Sequence, residues 1–186
     1  MSAIKAPCNR TKPAYHYSGL RSPKSIKWIV VHDTEGGTAE SVANMFHRPS
    51  SVASTHLVVD QLDCYRMLDD TKIPWGAPGA NTYGYHIEHV GYARWTRAEW
   101  LAHDTTLRRG AYKAALRCVW YGIPARWVGK WGLKLGRKGI TTHKDCSDAF
   151  SPGGHYDPGP NFPKDVYLGY VKKYIAEIKA GDKGAL

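Results

Sequence analysis

The sequence predicts an α/β fold, because apolar strand patterns and amphipathic helix patterns alternate along its 186 residues. Apolar residues make up 42% and charged residues 23%, the balance of a globular chain long enough to bury a core. Strands interleaved with helices imply a sheet covered on its faces by helices. We expect an irregular lead-in at 1–25, one folded domain at 26–180 and a short tail at 181–186.

The first half of the domain carries most of the predicted strands. Residues 26–32 are a buried strand, which ends in the turn Glu35-Gly36-Gly37. Thr38 is the N-cap of a helix that runs to about Phe46. Residues 73–84 are rich in Pro and Gly and must form a loop. Further strands are expected at 55–60, 64–67 and 85–90.

The second half is mainly helical. Thr96 with Glu99 has the capping-box pattern that opens a helical region. A longer helix from about Thr105 to Tyr121 ends at Gly122, a residue type that favours helix termination. The last helix spans about 165–179, where apolar residues recur on one face.

The net charge of +10 makes the surface attractive to anionic polymers. Basic residues are loosely concentrated at 126–144, beside Trp127 and Trp131, whose rings could contact sugars or bases. Charge alone does not choose between nucleic acid and a bacterial cell wall. No apolar run approaches a membrane span, and residues 1–10 lack the apolar region of a signal peptide. We therefore expect synthesis in the cytoplasm.

The four cysteines are widely spaced and form no CxxC pair, which argues against a structural zinc site built on thiolates. Without a secretion signal we take them as thiols by default, although oxidation after release from the cell stays open. They are Cys8, Cys64, Cys118 and Cys146.

Three positions stand apart as metal-ligand candidates among the nine histidines and the acidic residues. His32 ends a hydrophobic strand, His143 follows a Gly-rich basic segment, and Asp157 lies in a loop stiffened by Pro and Gly. Two imidazoles and one carboxylate are a common catalytic zinc set that leaves a fourth position for water. Their spacing is none of the short zinc motifs, so the residues alone make this only a hypothesis.

Five motifs occur in an order that resembles a known family: Ile29–Thr34, Ser54–Asp60, Tyr85–Gly91, His143 and His155–Pro160. Over residues 26–178 the chain resembles the type-2 N-acetylmuramoyl-L-alanine amidases, whose fold is shared with peptidoglycan recognition proteins. The nearest resemblance is to the amidase domain of a bacteriophage endolysin. It implies a central mixed sheet flanked by helices, and hydrolysis of the amide between N-acetylmuramic acid and L-alanine in peptidoglycan.

The resemblance also implies roles for individual residues. The family's zinc ligands match His32, His143 and Asp157. Glu88 matches the catalytic glutamate, acting as general base to water and then as acid to the leaving amine. The alternative for Glu88 is a structural salt bridge to Arg94 or Arg97.

Further site residues are expected from where they lie in the sequence relative to these motifs. His155 is expected to stabilise the oxyanion, with a further metal ligand or a plain loop histidine as alternatives. His56 either lines the cleft or supports it from behind. Asp33 and His89 depart from the commonest family residues and leave subsite preference open. The expected substrate contacts are Thr34, His56 and Asn81.

Three other functions compete with the lytic amidase: a non-catalytic peptidoglycan-binding module, a nucleic-acid-binding protein, and a cytoplasmic muropeptide-recycling amidase. All three expected metal ligands are present, which argues against the first, and no nucleic-acid motif accompanies the charge, which argues against the second. We expect a monomer that binds zinc and peptidoglycan, without nucleic acid or membrane insertion. A phage enzyme of this kind would reach the wall after holin-type release.

Overall fold

The computed structural model describes residues 8–151 and 154–181, within which six strands form one mixed sheet in the order β1-β4-β3-β5-β2-β6. Only β3 and β4 pair antiparallel; every other neighbouring pair is parallel. The strands are β1 (Arg10–Thr11), β2 (Trp28–Asp33), β3 (Leu57–Val59), β4 (Cys64–Arg66), β5 (Gly84–His89) and β6 (Gly139–Thr142).

Helices cover both faces of this sheet, which confirms the expected fold class. Helix α3 packs over β5 and β3 and against α6, whereas α1 lies against β3 and β4. The capping boxes at Thr38 and Thr96 are both present, and Gly122 ends α3 in the left-handed conformation. The helices are α1 (Ala39–Phe46), α2 (Arg97–Ala102), α3 (Asp104–Tyr121), α4 (Lys130–Lys134), α5 (His143–Phe150) and α6 (Lys164–Lys179). None of these helices is long and apolar enough to cross a membrane.

The structure differs from expectation mainly at 126–144, which contains α4, the whole of β6 and the first residues of α5. Strand β6 has only four residues, all buried, so it shows no alternation that a sequence pattern could reveal. It pairs with β2 along Trp28–Val31 and extends the parallel part of the sheet.

The lead-in also contributes to the fold. Strand β1 pairs with β4, and Cys8 and Cys64 form a disulfide, so the default expectation of a thiol is wrong for these two residues. Cys118 and Cys146 are free and buried. Residues 1–7 of the predicted lead-in and 182–186 of the predicted tail lie outside the described residues.

A buried ion pair fastens the loop before β5 to helix α3. The Arg117 guanidinium donates to Asp70 at 3.0 and 3.1 Å, and the Tyr121 hydroxyl donates to the same carboxylate at 2.5 Å. Burial would raise the pKa of Asp70, but the charge and hydrogen bonds of Arg117 hold it below its usual value. Arg21 donates to the carbonyls of Asp70 and Gly84, which closes the loop from its other side.

We expect Arg117→Ala to lower the free energy of unfolding by about 3–5 kcal/mol, because it leaves the Asp70 carboxylate buried and unpaired. Arg108→Ala on the same helix is the matched control. Its half-exposed pair with Asp104 should contribute less than about 1 kcal/mol. Urea denaturation of the two variants measures the difference, and equal losses would contradict a structural role for the buried pair.

Candidate metal centre and active site

The parallel strands β5, β2 and β6 bring their carboxyl ends to one edge of the sheet. His32 on β2 lies opposite Glu88 on β5, and Val31 lies opposite Thr142 on β6. His143 follows Thr142 directly as the first residue of α5. Ligands of open α/β sheets bind outside the carboxyl ends of the strands, so this register places three polar side chains where a site is expected.

A loop adds a carboxylate to the two imidazoles. The Asp157 carbonyl accepts a hydrogen bond from the Lys144 backbone N–H at 3.0 Å, which holds the loop against the start of α5. His32 Nδ1 lies 3.1 Å from His143 Nδ1 and 3.0 Å from Asp157 Oδ2, and His143 Nδ1 lies 2.9 Å from Asp157 Oδ1. Ligand atoms around a tetrahedral zinc ion lie about 3.3 Å apart, so the three groups fit one metal ion.

The charge states of this cluster also suit a cation. Burial would raise the pKa of Asp157, but hydrogen bonds with His143 and His32 lower it well below its usual value. Burial lowers the pKa of His143. A carboxylate and a neutral imidazole are the forms that bind metal, so little proton release is needed at neutral pH.

Glu88 lies beside the cluster and is only 8% exposed. Its Oε1 lies 3.9 Å from His32 Nδ1. Burial raises the pKa of Glu88 well above its usual value, and the nearby carboxylates of Asp157 and Asp33 raise it further. A carboxyl group with this tendency to hold a proton, placed next to a candidate metal position, is suited to proton transfer.

The alternative of a structural salt bridge for Glu88 does not match the contacts. Arg97 makes a bidentate pair with Asp165, with both distances at 2.7 Å. The Arg94 guanidinium lies 3.9 Å from the centre of the Tyr92 ring. Both arginines are therefore engaged with groups other than Glu88.

A cavity of about 420 Å³ opens over these groups. Helix α1 forms one apolar wall, and the turn after β2 and the loop that carries Asp157 form others. Thr34 lines the cavity, and its hydroxyl donates to the Gly36 carbonyl at 2.6 Å. Asp33 also lines it, and burial raises the pKa of Asp33 to about 7.

His155 lies at the mouth of this cavity. Its side chain is 53% exposed, and its ring stacks on that of His143 with 3.8 Å between the centres. Burial and the neighbouring His143 lower the pKa of His155. Its Nδ1 lies 3.9 Å from Asp157 Oδ1, and among the described residues the clustered metal-ligand atoms belong to His32, His143 and Asp157 alone.

The structure corrects two expected substrate contacts. His56 is fully buried and does not line the cavity; burial lowers its pKa to about 3, and its Nδ1 accepts a hydrogen bond from the His86 backbone N–H at 3.1 Å. Of the two roles open for His56, support from behind is the one that fits. Asn81 uses its side-chain oxygen to accept from the backbone N–H groups of Gly76 and Ala77, so it shapes a cavity wall without lining it.

Sequence reasoning missed the role of His86. Its Nδ1 lies 2.9 Å from His32 Nε2, so a neutral His86 can accept the Nε2 proton and leave His32 Nδ1 free for a metal. Backbone packs closely around the ring, since a Cβ at Gly76 or Gly84 would lie 2.5 Å from one of its nitrogens. The available signal was the position of His86 on the same strand face as Glu88.

The mixed sheet and the two-histidine, one-carboxylate cluster beside a buried glutamate define a candidate metal-dependent hydrolase. Residues 22–160 match the family described as N-acetylmuramoyl-L-alanine amidase, and the chain belongs to this family. It is therefore an amidase of the peptidoglycan-cleaving class.

Solved structures with this fold have low sequence identity. AmiA from Staphylococcus aureus, in complex with its ligand, has a TM-score of 0.72 and 19% identity, with 95% of this chain and 86% of that chain covered. The amidase LysC from Clostridium intestinale has a TM-score of 0.60 and 16% identity, with 88% of this chain and 96% of that chain covered. A mutant endolysin from Bacillus subtilis has a TM-score of 0.55 and 16% identity, with 92% of this chain and 93% of that chain covered. A comparison with curated proteins gives no match.

We expect His86→Ala to weaken metal binding by about 10- to 100-fold, because the His32 ring loses the partner that fixes its tautomer and orientation. A competition titration against a chromophoric chelator measures the affinity. The exposed His47 provides the control His47→Ala. Unchanged affinity in a folded His86→Ala protein would contradict the positioning role.

Proposed function

We propose that this chain is a zinc-dependent amidase that hydrolyses the bond between the lactyl group of N-acetylmuramic acid and the L-alanine of the stem peptide. The observation that carries the proposal is the meeting of the three ligand candidates and Glu88 at one cavity, in a chain of the amidase family. Zinc fits this donor set, since two imidazoles and a carboxylate leave one coordination position for water or substrate.

The chemistry follows from where the residues lie. His32, His143 and Asp157 would hold zinc, which polarises the scissile carbonyl and makes water acidic enough to attack near neutral pH. Glu88 accepts a proton from the attacking water as the water oxygen bonds to the carbonyl carbon. Glu88 then returns the proton to the amide nitrogen as the C–N bond breaks, which yields a lactyl carboxylate and a free alanine amine.

His155 lies at the cavity mouth and has a separate role from the metal ligands and Glu88. Its ring stacks on His143 and its outer part remains exposed, so an N–H can reach a substrate oxygen that enters from solvent. We assign it as a hydrogen-bond donor to the oxyanion that forms on the carbonyl. Its position outside the ligand cluster supports this role over metal binding.

We place the enzyme in cell-wall lysis by a bacteriophage, with synthesis in the host cytoplasm and release to the wall by a holin-type pore. The support is the net charge of +10, which favours binding to an anionic wall, and the similarity to an endolysin structure. A cytoplasmic recycling amidase would use the same site chemistry on soluble fragments, so the preference between intact sacculi and fragments separates the two.

Digestion of purified sacculi with mass spectrometry of the products tests the activity. We expect release of intact stem peptides with a free alanine amine, loss of this release with a chelator, and recovery with added zinc. New reducing ends would instead indicate cleavage of a glycosidic bond. Faster turnover of soluble muropeptides than of sacculi would contradict the lytic role while leaving the amidase assignment intact.

Glu88→Gln tests the proton-transfer role. We expect zinc affinity to stay near the wild-type value and kcat to fall by about 10²- to 10⁴-fold, because the amide keeps the shape of the side chain but cannot carry the proton. Glu40→Gln, on the exposed side of α1, is the control and should leave kcat unchanged. Loss of zinc in the Glu88→Gln protein would show that Glu88 is a ligand.

A further inference from the structure

The excess positive charge of the chain comes from one stretch of its sequence. Residues 105–144 contain ten Lys and Arg and no Asp or Glu, whereas the rest of the chain has sixteen residues of each sign. The net charge of +10 therefore arises entirely from this stretch. The proposed catalytic mechanism uses only His143 of these residues, so the cations have no part in it.

Helix α4 lies within this basic stretch and is anchored to the core by its inner face. Leu133 is 1% exposed and packs in an apolar cluster with residues of α5. Gly136 follows the helix in the left-handed conformation, with a φ of 65°, and the Arg137 N–H donates to the Gly132 carbonyl at 2.9 Å. These contacts hold the short helix in one position, so its outer face is presented to solvent by a fixed element.

The outer face of α4 exposes two large apolar side chains. Trp131 is 71% exposed, and Leu135, four residues later on the same face, is 70% exposed. The neighbouring Trp127 differs, because its indole N–H donates to the Lys164 carbonyl at 2.8 Å and its ring packs against the main core. Trp127 therefore serves the fold, whereas most of the surface of Trp131 and Leu135 is left for another molecule.

Cations surround these two apolar side chains. The ammonium groups of Lys130 and Lys134 lie 5.5 and 5.4 Å from the centre of the Trp131 ring, and the exposed Arg137 follows Leu135 by two residues. None of the three cations forms an ion pair with a residue that the structure describes. We call these five residues, Lys130, Trp131, Lys134, Leu135 and Arg137, the α4 patch.

This combination of side chains matches the surface of an anionic lipid bilayer. A tryptophan ring rests at the level of the headgroups, an aliphatic side chain beside it reaches the acyl chains, and Lys and Arg bind anionic headgroups. A soluble polyanion would use the cations but would leave Leu135 without an apolar partner. The ammonium groups over the Trp131 ring also hinder a sugar or a base from stacking on it.

We propose that the α4 patch docks the protein on anionic lipid membranes, with Trp131 and Leu135 at the boundary between headgroups and acyl chains. The contact is peripheral, because a helix of 5 residues is far too short to cross a bilayer. The inference does not depend on the proposed function, since no residue of the patch lines the catalytic cavity. It gives the protein a reversible attachment to a surface, which salt weakens.

Flotation with lipid vesicles tests the electrostatic part of the docking. We expect the wild-type protein to float with vesicles of phosphatidylglycerol and phosphatidylcholine, and to stay behind with phosphatidylcholine alone. The double variant Lys130→Gln/Lys134→Gln should bind about tenfold more weakly, because both removed charges face the headgroups. Lys172→Gln/Lys173→Gln, at two exposed lysines of α6, changes the net charge equally and should lose much less affinity. Equal losses in the two double variants would show a response to net charge alone and overturn the patch.

The apolar part of the docking is tested with bromine-labelled lipids, which quench tryptophan fluorescence at short range. Trp131→Phe should bind the vesicles nearly as well as the wild type but lose most of the quenching, because Trp127 is held in the core.

The double variant Trp131→Ser/Leu135→Gln should bind the vesicles about tenfold or more weakly, because it removes the apolar area of the patch. The matched control is Leu62→Gln, at a leucine that is 79% exposed outside the patch, and it should bind like the wild type. Urea denaturation should give the wild-type midpoint for each variant, since the replaced side chains are exposed. Vesicle binding that survives in Trp131→Ser/Leu135→Gln would mark the patch as a site for soluble anionic polymers, and a wild-type protein that binds neither kind of vesicle would equally overturn membrane docking.

Discussion

The parallel pairing of β5, β2 and β6 is the constraint on which the candidate site depends. It sets His32 opposite Glu88 and brings His143 to the end of β6, so two imidazoles and a carboxyl group reach one edge without any local motif. A slip of one residue in β5 would turn Glu88 to the other face of the sheet. The register is protected because every residue of β2, β5 and β6 is buried, so a slip would also bury the wrong side chains.

The same strand that presents Glu88 also supports the metal position from behind. His86 lies two residues earlier on the same face and contacts His32, and its own backbone N–H donates to His56. Glycine backbone at positions 76 and 84 leaves just enough room for the His86 ring. His86 thus carries out a task that side chains beyond the ligands commonly perform in metal sites, which is to fix the orientation of a ligand.

Long patterned elements were predictable from the sequence, whereas the short buried strand β6 was not. Helices α3 and α6 lie within a residue of their expected starts, because caps, stop signals and apolar spacing agree there. Strand β6 was missed because four buried residues after a basic, Gly-rich stretch have no period to detect. His32, His143 and Asp157 were reached mainly through the resemblance, since convergence across 125 residues depends on topology. The Cys8–Cys64 pair likewise depends on β1 lying beside β4.

The loop after β5 connects the loop that carries Asp157 to the turn after β2. Gly159 packs so closely on the Ala93 backbone that a Cβ would not fit, which ties the loop carrying Asp157 to the segment that also bears Tyr92. Glu35 binds the Ala93 N–H from the opposite side. Because one short segment touches both the Asp157 loop and the turn after β2, a change in its path would move a candidate metal ligand and a wall of the catalytic cavity together.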